Sequence, residues 1–305
     1  MKTMKIIEKR NMFYALSLGI ILVGFGLMGL RAMQNQPVLN FGIDFTGGTS
    51  LLIKFSPIAE SNTPAGSGKI RQALTDYGLE KIRIQNTASN ELLITTPLMS
   101  QETRTEVLTK LESQFGTVEL LEADEIGPSI GHELRKTSLL IVVFVSLALM
   151  AYISWRFEFR YGVGALVSLI HDIFAMLAIA AIVGLDIDTA FVAAILTILG
   201  YSINDTVVVF DRIRENMRRM DQNTFTFPEI INASIVQTFR RTIFTSVTVM
   251  LVIISLLIFE GGTIGSFCWT LFFGVIVGTY SSIFIGSTVL GMMKAPVEES
   301  VEPAA

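Results

Sequence analysis

The stretch Thr197-Ile-Leu-Gly-Tyr-Ser-Ile-Asn-Asp205-Thr-Val-Val-Val-Phe210 places a carboxylate inside an apolar segment that is long enough to cross a bilayer. An ionised aspartate near the centre of a membrane helix costs roughly 2.5–3.5 kcal/mol on insertion scales. About eleven large apolar residues lie between Asp188 and Phe210, and each contributes roughly −0.3 to −0.6 kcal/mol. The segment therefore inserts with little free energy to spare, and a charge kept at that cost indicates a functional residue with a partner.

The composition is typical of a membrane protein. The 305 residues are 51% hydrophobic and 16% charged, and their mean hydropathy is +0.57. Soluble domains are about a quarter charged, so the composition disfavours one. The net charge of −4 gives no electrostatic basis for nucleic-acid binding. The single cysteine, Cys268, excludes an intrachain disulfide and disfavours a thiolate metal cluster, and its apolar surroundings predict a packed side chain.

Six segments have the length and apolar character of a membrane span, which needs about 20 helical residues. They are residues 12–30, 137–155, 162–184, 188–210, 242–260 and 265–291. Basic residues precede the first segment, as in a signal peptide. No small-x-small cleavage site closes it, so we predict an uncleaved transmembrane helix.

Lysine and arginine in the short loops predict the orientation, because cytoplasmic loops are enriched in both. They cluster before the first span, after the second, and between the fourth and fifth. Both termini are therefore predicted to be cytoplasmic. The predicted organisation is a cytoplasmic N-terminus with the first transmembrane helix (1–30), an extracytoplasmic domain (31–135), a five-helix membrane region (136–293) that includes a cytoplasmic segment (212–240), and a cytoplasmic tail (294–305).

The extracytoplasmic region has the pattern of a folded α+β domain. Strand-like stretches cover residues 49–55, 81–85, 91–95 and 117–123. Apolar residues at helical spacing follow the first and third strands and end at Gly78 and Gly116, while residues 56–68 are predicted to be a loop. The order β-α-β-β-α-β is that of the ferredoxin-like split unit. The predicted fold is an α-helical polytopic membrane protein with six transmembrane helices and one extracytoplasmic α+β domain.

The cytoplasmic segment 212–240 contains a further helix signal. Thr226 with Glu229 three residues later, and Pro228 in the first turn, mark a helix start. The residues that follow form an amphipathic face. This helix is predicted either to lie along the membrane surface or to pack under the bundle.

Three predicted spans carry polar residues at helical spacing. The repeats are Ser168 and Asp172 in the third span, Thr197, Tyr201 and Asp205 in the fourth, and Arg241, Thr245 and Thr248 in the fifth. Residues four apart share a helix face. Polar faces of membrane helices point to the bundle interior or to a water-filled cavity, so we expect all three to avoid lipid.

Asp205 and Arg241 form the predicted coupling pair. Asp205 lies roughly 10 Å from the cytoplasmic end of its span, at 1.5 Å per residue, and the Arg241 side chain is long enough to approach it. A guanidinium favours the ionised carboxylate, whereas burial favours the neutral acid. A movement that separates the two would let Asp205 take up a proton and would convert a proton gradient into helix movement. The alternative is a static pair that only fixes helix packing.

His171 and Asp172 are the other members of the predicted proton-coupling site. An imidazole, whose ordinary pKa is about 6.5, is suited to relay protons beside a carboxylate. The alternative is a hydrogen-bonded contact between helices. A metal site is disfavoured because the only other histidine, His132, lies outside the membrane.

Glycines predict close helix contacts and one bend in the chain. Gly24, Gly29, Gly274 and Gly278 have spacings that suit helix packing, for which contacts within one chain are the commoner use. Residues 42–49, Gly-Ile-Asp-Phe-Thr-Gly-Gly-Thr, lack the Gly-Lys-Ser/Thr ending and the following helix of a phosphate loop. We therefore predict a bent loop that leads into the first strand, and no nucleotide site.

Four motifs resemble the SecF family of bacterial protein-export membrane subunits, part of the resistance-nodulation-division superfamily. They are Gly42-Ile-Asp-Phe-Thr-Gly-Gly48, His171-Asp172, Gly200-Tyr-Ser-Ile-Asn-Asp205-Thr-Val-Val-Val-Phe-Asp-Arg-Ile-Arg-Glu-Asn216 and Arg241-Thr-Ile-Phe-Thr-Ser246. The third motif is highly specific. The resemblance covers essentially the whole chain.

The resemblance implies a function and partners that the spacing of residues does not show. A SecF-like chain pairs with SecD in the bacterial cytoplasmic membrane and associates with the SecYEG channel and with YajC. It uses the proton motive force, or sodium in some members, to help complete export of unfolded polypeptides. The essential intramembrane aspartate of the family falls on Asp205 and its essential arginine on Arg241. The resemblance implies no enzymatic activity and no cofactor besides the coupling ion.

Three alternatives remain open at this point. A small-molecule or lipid exporter of the same superfamily would need larger outer domains than the roughly one hundred residues available here. An intramembrane hydrolase that uses Asp172 and Asp205 is disfavoured by Arg241, which favours charge coupling over a dyad that shares a proton. The third alternative is a purely architectural subunit.

Overall fold

The computed structural model describes residues 5–56, 64–75, 79, 82–86, 91–221, 224–259 and 264–293. In chain order the elements are α1 (Arg10–Met33), β1 (Asn40–Phe41), α2 (Ile43–Thr46), β2 (Gly48–Ser56), α3 (Pro64–Thr75), β3 (Arg83–Asn86), β4 (Glu91–Thr96), α4 (Gln101–Phe115), β5 (Thr117–Ile126), α5 (Pro128–Arg156), α6 (Phe159–Val183), β6 (Asp186–Ile187), α7 (Thr189–Arg219), α8 (Phe227–Phe259), α9 (Gly265–Ser281), a π-helical turn (Ser282–Gly286) and α10 (Ser287–Met292).

Among the described residues, six helical stretches are long and apolar enough to cross a membrane, as the sequence predicts. They are α1, α5, α6, α7, α8 and the stretch from α9 through the π-helical turn to α10. The central helix is α7, which contacts α5, α6, α8 and α9. Half of its apolar window is buried, against 11% for α5 and 17% for α1 and α8. Helices α1, α5 and α8 therefore present most of their apolar surface outward, where lipid accommodates it.

The α/β domain comprises β2 to β5 with α3 and α4. Its sheet has the order β3-β4-β2-β5, and every neighbouring pair is antiparallel. The two helices share a core with the sheet that includes Ile53, Leu74, Leu92 and Leu111. The observed order of elements agrees with the predicted βαββαβ pattern.

One boundary in this domain was predicted wrongly. The loop predicted at 56–68 is too long, because α3 begins at Pro64 and includes Gly66 and Gly68. Proline is tolerated in the first turn of a helix, because an N–H group at that position would have no hydrogen-bond partner within the helix. The remainder of that loop, residues 57–63, and the predicted helix end at Gly78 lie outside the described residues, as do residues 87–90 of the predicted hairpin turn.

The fourth and fifth membrane helices extend further than predicted, on the side opposite the α/β domain. α7 continues to Arg219, and α8 begins at Phe227 and runs without a break to Phe259. The predicted amphipathic helix is thus the first part of α8. Its apolar residues Ile231 and Ile235 are buried, and Asn216 Nδ2 of α7 donates to Ser234 Oγ at 2.8 Å. Packing under the bundle is therefore the alternative that the structure supports, and a position along the membrane surface is not observed.

Residues 42–49, called here the glycine segment, join the α/β domain to the membrane helices. The preceding strand β1 pairs in parallel with β6, in the turn between α6 and α7. The predicted bend contains the short helix α2 and ends at Gly47, whose φ of +71° suits glycine. A Cβ atom on Gly47 would lie 2.8 Å from Pro128 Cα at the start of α5, so the segment packs backbone to backbone on the membrane helices.

Three of the four candidate packing glycines lie at close helix contacts within the chain. A Cβ atom on Gly24 of α1 would collide with Ala178 of α6, and one on Gly274 of α9 would collide with Ile198 of α7. A Cβ atom on Gly278 would lie 3.1 Å from Ser202 Cβ. Gly29 has no described residue within 4 Å of such an atom, so its predicted packing role was wrong for the described part of this chain.

Candidate functional site

A chain of polar side chains crosses the buried interface between α1, α6 and α7. Asp172 is 1% exposed, and its Oδ2 atom accepts a hydrogen bond from Ser202 Oγ at 2.7 Å. His171 Nδ1 lies 3.1 Å from Asp172 Oδ1, and His171 Nε2 lies 3.0 Å from Ser17 Oγ. The predicted candidates His171 and Asp172 thus contact each other and link three helices.

The π-helical turn extends this polar chain. Ser282 Oγ donates to the carbonyl oxygen of Ser202 at 2.9 Å and lies 2.9 Å from Thr206 Oγ1. Ser202, Thr206 and Ser282 are all completely buried. π-Helical turns occur frequently at functional sites. Here the turn places a hydroxyl between Ser202 and Thr206 on α7, and Thr206 follows Asp205 in the sequence.

Asp205 differs from Asp172 because one of its two carboxylate oxygens is buried without a hydrogen bond among the described residues. The residue is 2% exposed, and its Oδ2 atom is buried with no hydrogen-bond partner among the described residues. Burying an ionised carboxylate without compensation is far more costly than burying a neutral acid. The arrangement therefore suits a group that either carries a proton or acquires a cationic partner.

Arg241 lies within electrostatic range of Asp205 but does not form an ion pair with it. No salt bridge within 4.0 Å joins the two residues, although both are described. Arg241 is exposed at the surface of α8. The predicted partner is therefore nearby, and closing the pair requires movement of its side chain or of α8.

We expected all three polar stripes to face the bundle interior, but only some of their residues do. Ser168 and Asp172 of α6 are buried. On α7, Asp205 is buried and Tyr201 donates its OH to Ser246 Oγ at 3.1 Å, but Thr197 is exposed. On α8, Arg241 and Thr248 are exposed and Thr245 is half-buried. The expectation was thus wrong for α8 within this chain, because its polar stripe faces outward.

The glycine segment holds the first turn of α7, the helix that also contains Asp205. Asp44 Oδ2 accepts hydrogen bonds from the backbone N–H of Thr189, at 2.8 Å, and from the Thr189 hydroxyl. Asp188 Oδ1 accepts from the backbone N–H of Phe191 at 2.7 Å and so caps the helix. Two aspartates therefore bind the same helix end, one of them from the segment that leads into the α/β domain.

The sheet of the α/β domain contacts the same turn. Arg83 of β3 forms a salt bridge with Asp186, and Gln85 Nε2 donates to Asp186 Oδ2 at 3.1 Å. Burial raises the pKa of Asp188 to about 6. The backbone hydrogen bond from Phe191 lowers this pKa, and the nearby carboxylates of Asp44 and Asp186 raise it. The junction is thus held by charged groups in a partly buried cleft.

Sequence analysis missed most of these supporting residues. It did not identify the hydroxyl groups of Ser17, Ser202 and Ser282, or the junction contacts of Asp44 and Arg83. Ser202 had a usable signal, because it lies three residues before Asp205 on the same helix. The contact between Asp44 and Thr189 joins residues 145 positions apart, and no local pattern predicts it.

Comparison with known proteins agrees with this architecture. Residues 106–296 match the family model described as "Protein export membrane protein SecD/SecF, C-terminal", and residues 36–57 match that of the SecD/SecF GG motif. The chain is 39% identical over 290 residues to protein translocase subunit SecF of Desulfurispirillum indicum, an alignment that covers 91% of this chain and 88% of the relative. It is 34% identical to protein translocase subunit SecF of Sebaldella termitidis, with coverage of 95% and 92%.

Two solved structures of SecDF are also similar. The crystal structure of SecDF from Thermus thermophilus aligns with a TM-score of 0.80 and 32% identity over 93% of this chain. SecDF in its super-membrane-facing form aligns with a TM-score of 0.64 and 31% identity over 95% of this chain. In both cases the present chain spans 38% of the length of the SecDF chain.

Proposed function

Because this chain belongs to the SecD/SecF family of protein export membrane proteins, we propose that it is a Sec translocase subunit that uses the proton motive force, with SecD, to drive late steps of polypeptide export. In this role it is a coupling subunit and not an enzyme. The observation that carries the proposal is Asp205 on the central membrane helix, whose buried Oδ2 atom has no hydrogen-bond partner in the part of the chain that the structure describes. Ionisable residues inside membranes mark proton relays and ion pathways.

We propose a proton as the coupling ion at Asp205. Its Oδ2 atom is buried and has no hydrogen-bond partner among the described residues. Burial costs far less for a neutral acid than for an ionised carboxylate, and a proton removes the charge by forming a covalent bond with the carboxylate.

The proposed cycle has two arrangements of Asp205 and Arg241. In the first, the two side chains are apart, as they are in the structure, and we propose that Asp205 then carries a proton. In the second, the guanidinium approaches, the ion pair stabilises the carboxylate, and the proton leaves. His171 contacts Asp172, and Ser202 connects Asp172 to the helix that carries Asp205.

The glycine segment gives this cycle a route to the α/β domain. A shift of α7 moves Thr189, whose backbone and hydroxyl bind Asp44. It also moves the turn that contains Asp186, which the sheet holds through Arg83 and Gln85. Movement of α7 is thereby transmitted to the domain that, in the proposed orientation, faces the emerging polypeptide.

The outward polar residues of α7 and α8 support a membrane partner. Thr197, Asn204, Arg241 and Thr248 are exposed in the isolated chain. Polar side chains are costly to leave in lipid, so a second set of membrane helices is expected to cover them. We assign this surface to SecD, and we place the assembly with SecYEG and YajC in the cytoplasmic membrane, with both termini of this chain in the cytoplasm.

Replacing Asp205 with asparagine tests the proposal. In proteoliposomes that contain this chain, SecD and SecYEG, Asp205→Asn is expected to abolish the stimulation of export by a proton gradient while leaving assembly and unstimulated export intact. Asp211→Asn is the matched control, because Asp211 is an exposed carboxylate further along α7. Full stimulation in Asp205→Asn would refute the coupling role and would favour an architectural subunit.

A further inference from the structure

An apolar groove lies between α5, α6 and α7 where these helices meet the glycine segment. Its volume is about 500 Å³. The walls include Phe45 of α2, Val142 of α5, Leu177 of α6, and Phe191 and Ile195 of α7. None of these residues belongs to the polar chain around Asp172 or to the immediate surroundings of Asp205. The groove is therefore a separate feature of the membrane region.

One end of the groove is basic. His132, Arg135 and Lys136 of α5 line it, and no acidic residue does. The Arg135 guanidinium stacks over the Phe41 ring, 4.5 Å from its centroid, which holds it beside the groove. Glu133 is exposed and is not part of the lining. Asp44, Asp186 and Asp188 border a different cleft, which faces the sheet of the α/β domain.

The basic and apolar parts are separated along the membrane normal. Arg135 and Val142 are seven residues apart on α5, roughly 10 Å at 1.5 Å per residue. The charged residues precede the apolar run of α5 and so lie at the level of lipid headgroups, while Val142 and Leu177 lie at the level of acyl chains. A ligand that fills the groove must therefore carry a negative head and an apolar tail.

We propose that this groove binds an anionic phospholipid, with its phosphate beside Arg135 and Lys136 and an acyl chain between α5, α6 and α7. Basic pockets between transmembrane helices bind anionic headgroups in this way. The bound chain would contact Phe45 and Phe191, which lie next to the two aspartates that hold the first turn of α7. Lipid binding would then stabilise the junction between the α/β domain and the central helix.

Native mass spectrometry of the purified full-length chain tests the proposal. The chain is titrated with phosphatidylglycerol or, separately, with phosphatidylcholine of the same acyl composition. Wild type is expected to bind phosphatidylglycerol preferentially at one saturable site. Arg135→Gln/Lys136→Gln is expected to weaken this binding about 25-fold, since each basic residue near a membrane surface contributes about a fivefold effect. The control Arg156→Gln/Arg160→Gln removes two charges near the other end of α5 and should bind like wild type.

A second variant separates the groove from its basic end. Val192 of α7 also lines the groove. Val192→Trp fills the groove and keeps every charge, and it should reduce phosphatidylglycerol binding while a monodisperse elution profile shows that the chain is folded. Glycerol phosphate, which has the headgroup charge and no acyl chain, should not compete. The proposal would be overturned if the two lipids bound equally, or if the charge variant and its control lost equal affinity for phosphatidylglycerol. It would also be overturned if folded Val192→Trp bound phosphatidylglycerol like wild type, or if glycerol phosphate competed.

Discussion

Replacing Arg83 with glutamine tests whether the α/β domain is held to the turn that precedes α7. Arg83 forms a salt bridge with Asp186 and donates to the carbonyl oxygen of Phe41 at 3.2 Å. The two charged side chains are 29% and 17% exposed, so water screens the pair only in part. Hydrogen bonds to charged groups contribute about 1.5–3 kcal/mol, and partial exposure reduces this value. We therefore expect a loss of about 1–2 kcal/mol, or roughly a 5- to 30-fold increase in local opening of the junction.

Hydrogen exchange measures this opening directly. In Arg83→Gln, the backbone amides of residues 186–191 are expected to exchange about tenfold faster, within the range of the estimated free-energy loss. Stimulation of export by the proton gradient should decrease while the complex with SecD still assembles. The matched control is Lys54→Gln, which removes an exposed charge from β2 of the same sheet. Unchanged exchange at 186–191 and unchanged stimulation would refute the idea that this contact transmits movement.

Three further substitutions test other parts of the account. Asp188→Asn retains a helix-capping side chain. Because the pKa of Asp188 is raised to about 6 in the folded chain, above an ordinary value of about 3.9, its ionisation costs at most about 3 kcal/mol of stability. The stability gained by the variant should therefore grow between about pH 4 and pH 6 and stay constant above that, and a pH-independent difference in thermal unfolding would contradict the assignment. Gly274→Val should lower the melting temperature by several degrees, because the new side chain collides with Ile198, whereas Gly26→Val has open space around it and should not. Arg241→Lys should impair coupling of export to the proton gradient, because lysine lacks the planar guanidinium fork. The exposed neighbour Arg240 supplies the control Arg240→Lys, and normal coupling in Arg241→Lys would indicate a simple point charge.

Hydropathy predicted the membrane helices well because lipid imposes a strong and local requirement. Every backbone polar group in the bilayer must be satisfied within the segment, so a run of apolar residues has few alternatives to a helix. The predicted ends of the fourth span and the start of the fifth were less accurate. α7 and the first part of α8 continue as polar or amphipathic helices, and contacts such as that of Asn216 with Ser234 stabilise them there.

The orientation of side chains around Asp205 was less predictable. Spacing correctly placed Asp172 inside the bundle, but the same rule failed for Arg241. Helical periodicity identifies a polar face without specifying what covers it, and Arg241 is exposed in the described part of this chain. The junction contacts of Asp44 and Arg83 depend on how distant segments meet in three dimensions, and the sequence around each residue gives no signal for them.

The protonation state of Asp205 decides whether this residue couples export to the proton gradient. Infrared difference spectroscopy of the reconstituted complex with SecD, comparing wild type with Asp205→Asn, detects the carbonyl stretch of a neutral carboxylic acid. Wild type is expected to show one such band that is absent from the variant and that disappears and returns as an imposed proton gradient is reversed. A carboxylate that is ionised under every condition, or a band that never responds to the gradient, would contradict the coupling role of Asp205.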